Sequence, residues 1–176
     1  MRDRDIKYMV NLLSYQPLLD EPMTKHTTFG IGGKAACYVY PNSQSELCEL
    51  LTYCHKNKIS VFFAGSGSNL LVSDDGFDGV VMSLRKTFKS LEISEDGTIN
   101  VESGVMLGKM VGNAIKQNIK GLESLIGVPG TLGGALIMNA GAYGSEISNY
   151  FKSATMISMS GEIKKYSQGD IKFSYR

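Results

Sequence analysis

The 176-residue sequence has no tryptophan, only two histidines, three cysteines and four prolines. Its cysteines, Cys37, Cys48 and Cys54, do not form a CxxC pair, and two histidines are too few to complete a usual zinc cluster. We therefore expect no metal site. An odd number of cysteines fits a reducing compartment better than a disulfide-bonded scaffold.

The sequence also lacks an excess of charge of one sign and any long hydrophobic run. Its net charge is +1, and lysines and arginines are spread along the chain, which gives no long-range field to attract nucleic acid or an anionic membrane. The first five residues, Met1-Arg2-Asp3-Arg4-Asp5, are too charged to lead into a secretory signal, and no apolar run could span a bilayer. We expect a soluble, cytoplasmic protein with no nucleic-acid or membrane partner.

Enough apolar residues are present, 43% of the chain, to support a packed core. The length suits one domain or two small subdomains that share a ligand. Helical spacing of Ile6, Met9, Val10 and Leu13 predicts a short amphipathic helix, and the prolines that follow predict an extended arm up to residue 22.

A strand, a helix and two more strands are predicted next. The β-type run Ala35–Tyr40 precedes Ser43 and Glu46, which match a capping box at the start of a helix. Residues 61–64 and 80–84 have the composition of short buried strands. This order predicts an α/β layer with a crossover helix.

The second half predicts two hairpins and a helix. The hairpins cover residues 91–102, with a turn at Asp96-Gly97, and residues 154–166, with a turn at Ser160-Gly161. The helix covers residues 107–115. The clearest boundary lies near residues 85–90, so we divide the chain into an N-terminal helix and arm (1–22), a first subdomain (23–85) and a second subdomain (86–176).

The segment Gly65-Ser66-Gly67-Ser68-Asn69-Leu70 directly follows a predicted strand. Glycines at alternate positions let the backbone approach a ligand closely, and consecutive N–H groups can then face one phosphate. A plain Gly-Ser turn explains the same composition equally well. The Rossmann fingerprint does not fit, because Leu70 stands where it requires a glycine; the P-loop does not fit either, because Ala35 follows Gly33-Lys34.

Two further segments attract attention. The stretch Gly127-Val128-Pro129-Gly130-Thr131-Leu132-Gly133-Gly134-Ala135 continues to Asn139-Ala140-Gly141-Ala142-Tyr143-Gly144. So many glycines are costly in chain entropy, which indicates either a packing or a ligand reason. We expect Gly133-Gly134-Ala135 to open a helix whose N-terminus favours an anion, with close helix–strand packing as the alternative. The loop Lys25-His26-Thr27-Thr28-Phe29-Gly30-Ile31-Gly32-Gly33 is hydroxyl-rich but carries little weight by itself.

These segments, in this order and spacing, closely resemble the UDP-N-acetylenolpyruvoylglucosamine reductase (MurB) family, from about His26 to the chain end. The strongest matches are 65–69, Gly121-Leu122-Glu123, 127–134, 139–144 and Phe173-Ser174-Tyr175-Arg176. The 65–69 segment alone would indicate only the wider vanillyl-alcohol-oxidase-like group of flavoproteins.

The resemblance implies an α+β FAD-binding fold of the vanillyl-alcohol-oxidase/MurB-like type, with the cofactor between two α+β subdomains. It implies that Gly65, Ser66, Gly67, Ser68, Asn69 and Leu70 cradle the pyrophosphate. The rest of the FAD site would be lined by Pro129, Gly130, Thr131, Gly133, Gly134, Asn139, Gly141, Ala142 and Tyr143. The implied reaction is reduction by NADPH of UDP-N-acetylglucosamine enolpyruvate, a UDP-sugar, to UDP-N-acetylmuramate in peptidoglycan synthesis.

The last two residues match the family's Tyr-Arg motif. This match implies that Arg176 is catalytic and that Tyr175 and Arg176 bind substrate, since a guanidinium offers a planar fork of donors to a carboxylate or enolate. From composition alone, Arg176 is a solvated terminal charge.

The family's chain continues into a third, substrate-binding domain with a proton-donating serine and a late glutamate, and neither motif occurs in this sequence. The resemblance therefore predicts an incomplete FAD-binding fragment that does not turn over alone. The face left by the missing domain would favour self-association. A stand-alone flavin-binding module and another FAD oxidoreductase of the same broad fold are the alternatives.

Overall fold

The computed structural model describes residues 1–174. Its first part contains α1 (Asp3–Leu12), β1 (Leu18–Pro22), β2 (Lys34–Val39), α2 (Gln44–Lys56), β3 (Val61–Phe63) and β4 (Phe77–Met82). Its second part contains β5 (Leu91–Ile93), β6 (Ile99–Val101), α3 (Leu107–Lys116), α4 (Leu132–Ile137), β7 (Gly141–Ala142), β8 (Ser145–Glu146), β9 (Ser153–Ile157) and β10 (Ile163–Ser167). Within residues 1–174, no helix has the length and apolar character needed to cross a bilayer.

The first four strands form one mixed sheet in the order β1-β2-β4-β3. Strand β4 runs parallel to both of its neighbours, and β1 runs antiparallel to β2. Helix α2 connects β2 to β3, which confirms the predicted crossover. Ser43 caps this helix as predicted and accepts a hydrogen bond from the Glu46 amide at 3.1 Å. The Glu46 carboxylate does not complete the expected box, because it accepts from the amides of Asn42 and Ser14 instead.

Both edges of this sheet differ from the sequence expectation. The arm up to residue 22 contains strand β1, which pairs with β2 along the sheet edge. Strand β3 was expected to be buried, but it forms the opposite edge and has only β4 as a neighbour. Phe62 and Phe63 are consequently each 40% exposed. A strand with one partner leaves one flank open to solvent.

The two faces of the sheet have separate cores because side chains of a strand alternate between faces. Helices α1 and α2 pack on one face, where Met9, Leu50 and Cys54 are buried with residues of β2 and β4. Tyr38 and Met23 are buried in the cluster on the other face. Burial raises the pKa of the Cys54 thiol to about 12, so it stays neutral and packs as a small hydrophobic residue.

The second part has its own core around helix α3. Leu107, Met110, Val111 and Ala114 of this helix are buried in it, whereas Ile115, which was expected on the same apolar stripe, is exposed. The predicted hairpins are confirmed as β5–β6 and β9–β10, the latter with Ile157 opposite Ile163. The boundary near residues 85–90 falls between the buried residues of the two parts, and the domain limits stay a prediction.

A buried carboxylate joins α1 to α2. Asp5 accepts hydrogen bonds from Nε of Arg2 at 2.9 Å and from the hydroxyl of Tyr53 at 2.8 Å. The Tyr53 ring stacks on Tyr8 with 3.7 Å between centroids. The bond from Arg2 lowers the pKa of Asp5, burial opposes this effect, and the bond from Tyr53 lowers the pKa further.

This lowered pKa predicts a pH-dependent stability. The contribution of Asp5 is present above its ordinary pKa and is lost as the pH falls through the folded-state pKa. We expect Asp5→Asn to lower the Tm at neutral pH and to have a much smaller effect at an acid pH below the lowered folded-state pKa, where the parent carboxyl is also protonated. Circular dichroism at both pH values measures this. Asp3→Asn, at an exposed position of the same helix, is the control. An equal loss of Tm at both pH values would contradict the prediction.

Candidate functional site

The loop of residues 65–70 starts where strand β3 ends, at the carboxyl edge of the parallel strands β3 and β4. Ala64 is buried and its amide donates to the carbonyl of Met82 at 2.9 Å, which fixes the start of the loop to the sheet. In sheets with parallel strands, this edge is where ligands usually bind. The loop is thus held at one end by regular structure and projects from it.

The backbone amides of this loop lack protein partners. Within the part of the chain that the structure describes, no amide from Gly65 to Asn69 donates a hydrogen bond to a protein acceptor. Most of these residues are nevertheless buried or half-buried. Sheltered N–H groups without an acceptor are rare in folded proteins, and a run of them forms a receptor for an anion. These amides are therefore available to an anion, and the role of the loop as a pyrophosphate cradle stays a prediction.

The floor of the loop is formed by residues 26–28. The amide of Thr28 donates to the carbonyl of Gly67 at 3.0 Å. Gly67 has φ +74°, and a Cβ there would overlap the carbonyl oxygen of His26 and lie 2.8 Å from Cα of Thr27. Only glycine accepts this combination of a left-handed backbone and a close approach.

The second part of the chain contacts the loop from another side. A Cβ added at Gly65 would lie 2.6 Å from Oγ1 of Thr131. One added at Gly130, where φ is +127°, would lie 3.5 Å from Oγ of Ser68 and 4.0 Å from Oγ of Ser66. The two serine hydroxyls lie 3.3 Å apart. The predicted residues of both halves thus meet at the loop.

The helix expected at Gly133-Gly134-Ala135 is α4, which begins at Leu132. Its first amides already have partners: Leu132 donates to the carbonyl of Val105 at 2.8 Å, and Gly133 donates to that of Ser103 at 2.9 Å. Gly134 donates to Oγ1 of Thr131 at 3.3 Å. These bonds correct the expectation that this helix N-terminus offers its amides to an anion. They favour the packing alternative, in which the start of α4 holds the second half against the loop.

Apart from the 65–70 loop, the 139–144 segment borders a polar concavity of about 410 Å³. Strands β7 and β8 form a tight hairpin whose two turn residues, Tyr143 and Gly144, both have positive φ (52° and 78°), as a type I′ turn requires. Tyr143 is 95% exposed. Its ring is available to a ligand, but no contact in the chain holds it in one place.

Asn139 ties this hairpin to the end of the described chain. Its side-chain amide donates to Oε2 of Glu146 at 2.6 Å and to the carbonyl of Ser174 at 3.4 Å, and its oxygen accepts from the amide of Ser148 at 3.4 Å. Tyr175 and Arg176, the predicted substrate-binding pair, lie outside the described residues. Asn139 therefore orders the backbone immediately before them.

The structure distributes the predicted cofactor residues over two regions. Gly65, Ser66, Gly67, Ser68, Gly130 and Thr131 come together, while Asn139, Gly141 and Ala142 line the polar concavity with Gly144 and Glu146. Asn69 and Pro129 are exposed, and Leu70 packs partly into the core under the loop. Their roles in binding a cofactor stay predictions.

Sequence reasoning missed the part played by residues 26–28. The segment 25–33 was only a hydroxyl-rich loop by composition, and no local pattern relates His26 to Gly67. The best sequence signal that this segment packs closely against another is the pair Gly32 and Gly33. A Cβ at Gly32 would crowd Val72, and one at Gly33 would crowd Asp74, both in the chain that follows the 65–70 loop.

Comparison with known proteins agrees with this geometry. The FAD binding domain family matches residues 35–167. A UDP-N-acetylenolpyruvoylglucosamine reductase of Clostridioides difficile (strain 630) is 41% identical over 100% of this chain and 58% of its own. The crystal structure of a UDP-N-acetylenolpyruvylglucosamine reductase (MurB) from Thermus caldophilus superposes with a TM-score of 0.70 at 27% identity, over 91% of this chain and 55% of that one.

A more distant structure shows how widely the fold occurs. A 4-ethylphenol oxidase from Gulosibacter chungangensis superposes with a TM-score of 0.71 at 15% identity, over 97% of this chain and 36% of that one. This likeness concerns the fold alone. The matched FAD binding domain family and the Thermus structure confirm the predicted α+β FAD-binding fold. The chain spans about half the length of the curated reductases it matches, 58% in the first and 52% in a Listeria innocua relative. The chain belongs to the FAD binding domain family, as a homologue of the UDP-N-acetylenolpyruvoylglucosamine reductases that covers their FAD-binding part.

Proposed function

We propose that the chain binds FAD with the pyrophosphate on the loop of residues 65–70. One observation carries this proposal: the half-buried row of loop amides without a protein acceptor. Pyrophosphate oxygens are suitable acceptors, and the hydroxyls of Ser66 and Ser68 add donors on the same loop. The net charge of +1 provides no long-range attraction, so binding depends on these local donors.

The remainder of the cofactor is proposed to lie along the second half of the chain. Gly130 packs close to the two serine hydroxyls, so this segment of the second half lies directly beside the proposed pyrophosphate site. From there, the concavity at Asn139, Gly141 and Ala142 offers a polar wall, and the exposed ring of Tyr143 stands beside it. In this arrangement, the hydrogen bonds of the Asn139 side chain hold this polar wall in place. Both N–H groups of that side chain are used in these bonds, so Asn139 has no free donor for the ligand.

We propose that the chain serves the NADPH-dependent reduction of UDP-N-acetylglucosamine enolpyruvate to UDP-N-acetylmuramate, in cytoplasmic peptidoglycan synthesis. When bound, FAD supplies acceptance of a hydride from NADPH and its delivery to the enolpyruvyl double bond. The chain's residues bind and orient: the loop holds the pyrophosphate, and the bond from Asn139 to Ser174 holds the backbone next to Tyr175 and Arg176. Arg176 is proposed to bind the substrate carboxylate through its fork of donors.

The visible absorption spectrum tests this proposal in two steps. Purified chain is mixed with FAD, freed of excess cofactor and examined, and NADPH is then added without oxygen. We expect a protein-bound flavin spectrum. Bleaching by NADPH would support the hydride-accepting role, whereas a bound flavin that stays oxidised would favour a flavin-binding module without turnover. A chain that takes up no FAD would contradict the proposal.

A further inference from the structure

A partly buried cluster lies beside the cofactor loop but is not part of the cradle. The Nε2 atom of His26 lies 3.0 Å from Oε1 of Glu21, whose carboxylate accepts the hydrogen bond, and both side chains are largely buried (14% and 12% exposed). The His26 ring stacks on Tyr38, with 4.0 Å between centroids and 21° between planes. Glu21 belongs to β1 and Tyr38 to β2, so two neighbouring strands hold the imidazole.

The backbone of the same histidine supports the loop. Its carbonyl oxygen occupies the space that a Cβ of Gly67 would need, and two residues later the amide of Thr28 donates to the Gly67 carbonyl at 3.0 Å. The ring of His26 is thus fixed to the sheet while its backbone forms the floor of the loop. The amide of His26 also donates to the carbonyl of Met23 at 2.9 Å, so the backbone of the floor is tied to the residue that follows β1.

We propose that His26 is a positioning residue for the cofactor loop: Glu21 and Tyr38 fix its ring, and the fixed ring holds residues 26–28 against Gly67. The identity of the ligand in this inference rests on the proposed FAD binding. The contacts between His26 and the loop do not depend on that proposal. His26 does not touch the cofactor in this arrangement. It acts by keeping the row of loop amides in a receptive geometry before the ligand arrives, which lowers the cost of ordering on binding.

The surroundings of Glu21 suit it to this task. Burial raises its pKa, but the hydrogen bond from His26 and the charge of Lys25, whose Nζ lies 3.5 Å away, outweigh that effect and lower the pKa overall. Glu21 therefore remains an ionised acceptor. Lys25 itself is 63% exposed, and a long, solvated side chain holds geometry poorly. The imidazole is the partner that can fix the backbone.

Two substitutions at position 26 and one control separate this role from general stability. His26→Leu removes the donor and roughly keeps the volume, whereas His26→Gln places an amide donor near the Nε2 position. Tyr53→Phe is the matched control, because it also removes a hydrogen bond to a carboxylate, that of Asp5, but between α1 and α2. We expect His26→Leu to weaken FAD binding roughly tenfold, as for the loss of one hydrogen bond to a charged group. His26→Gln should recover most of that loss, and Tyr53→Phe should bind FAD like the parent.

Hydrogen exchange of the Thr28 amide without FAD gives a readout independent of cofactor binding. We expect exchange to be roughly tenfold faster in His26→Leu and close to the parent rate in His26→Gln. Should His26→Leu not fold, Glu21→Met removes the acceptor and serves in its place. Unchanged Thr28 exchange, or a glutamine variant no better than leucine in exchange, would overturn the inference. A parent chain that does not bind FAD would refute the proposed function, while the exchange rates would still decide the role of His26.

Discussion

Gly67→Ala is expected to abolish FAD binding at concentrations that saturate the parent chain. The new Cβ would overlap the carbonyl oxygen of His26, a backbone atom that cannot rotate away, and φ of +74° is itself strained for alanine. The loop must shift, which moves its unpartnered amides away from their present positions. We expect the Kd to rise at least a hundredfold, which corresponds to about 2.8 kcal/mol. Quenching of FAD fluorescence, titrated with protein, measures this change.

Gly97→Ala is the control that separates backbone strain from the clash. Gly97 lies in the β5–β6 turn and has a similar φ of +79°. A Cβ at this position would meet only Ile119, at 4.0 Å. We expect this variant to lose about 1 kcal/mol of stability and to bind FAD normally. Normal FAD binding by a folded Gly67→Ala chain would show that the loop is not the cofactor cradle.

Gly161→Ala is expected to detach the β9–β10 hairpin from helix α2. The turn of this hairpin docks on the helix, where the hydroxyl of Thr52 donates to the carbonyl of Ser160 at 3.1 Å. A Cβ at Gly161 would overlap Oγ1 of Thr52 and lie 2.7 Å from the carbonyl oxygen of Cys48, at φ +89°. We expect the strain and the lost contact to lower the free energy of unfolding by about 2–3 kcal/mol.

Urea unfolding and hydrogen exchange of residues 158–162 test this expectation together. The exchange should accelerate in Gly161→Ala but not in Gly97→Ala, whose φ is similar and whose added Cβ would meet only the Ile119 side chain, at 4.0 Å. Because the hairpin belongs to the second half and α2 to the first, the contact also holds the halves around the loop. A Gly161→Ala chain with parental stability and exchange would mean that the hairpin does not contribute to this junction.

The site depends on this junction because each half supplies only part of it. The loop amides come from the first half, and Gly130 and Thr131 come from the second. Any ligand that binds both halves would add its binding free energy to the stability of the folded chain. Cofactor binding and the docking of the halves are therefore expected to be coupled.

Features set by residues close in sequence were predictable. The burial of Met9, the Ser43 cap of α2, the stripe of α3 and both long hairpins follow from periods of 3.6 or 2 residues and from turn chemistry, which neighbouring residues determine. The family resemblance likewise rests on short motifs, so the sequence alone is sufficient to single out the 65–70 loop.

Features set by contacts between distant segments were not predictable. The sequence determined a glycine-rich loop after a strand, with amides able to face a phosphate. Only the tertiary structure decided that His26 lies beneath Gly67, that the first amides of α4 are already bonded, and that β1 and β3 form the sheet edges. Such contacts have no period along the chain, because they arise when the packed core closes and brings together segments that share no local pattern.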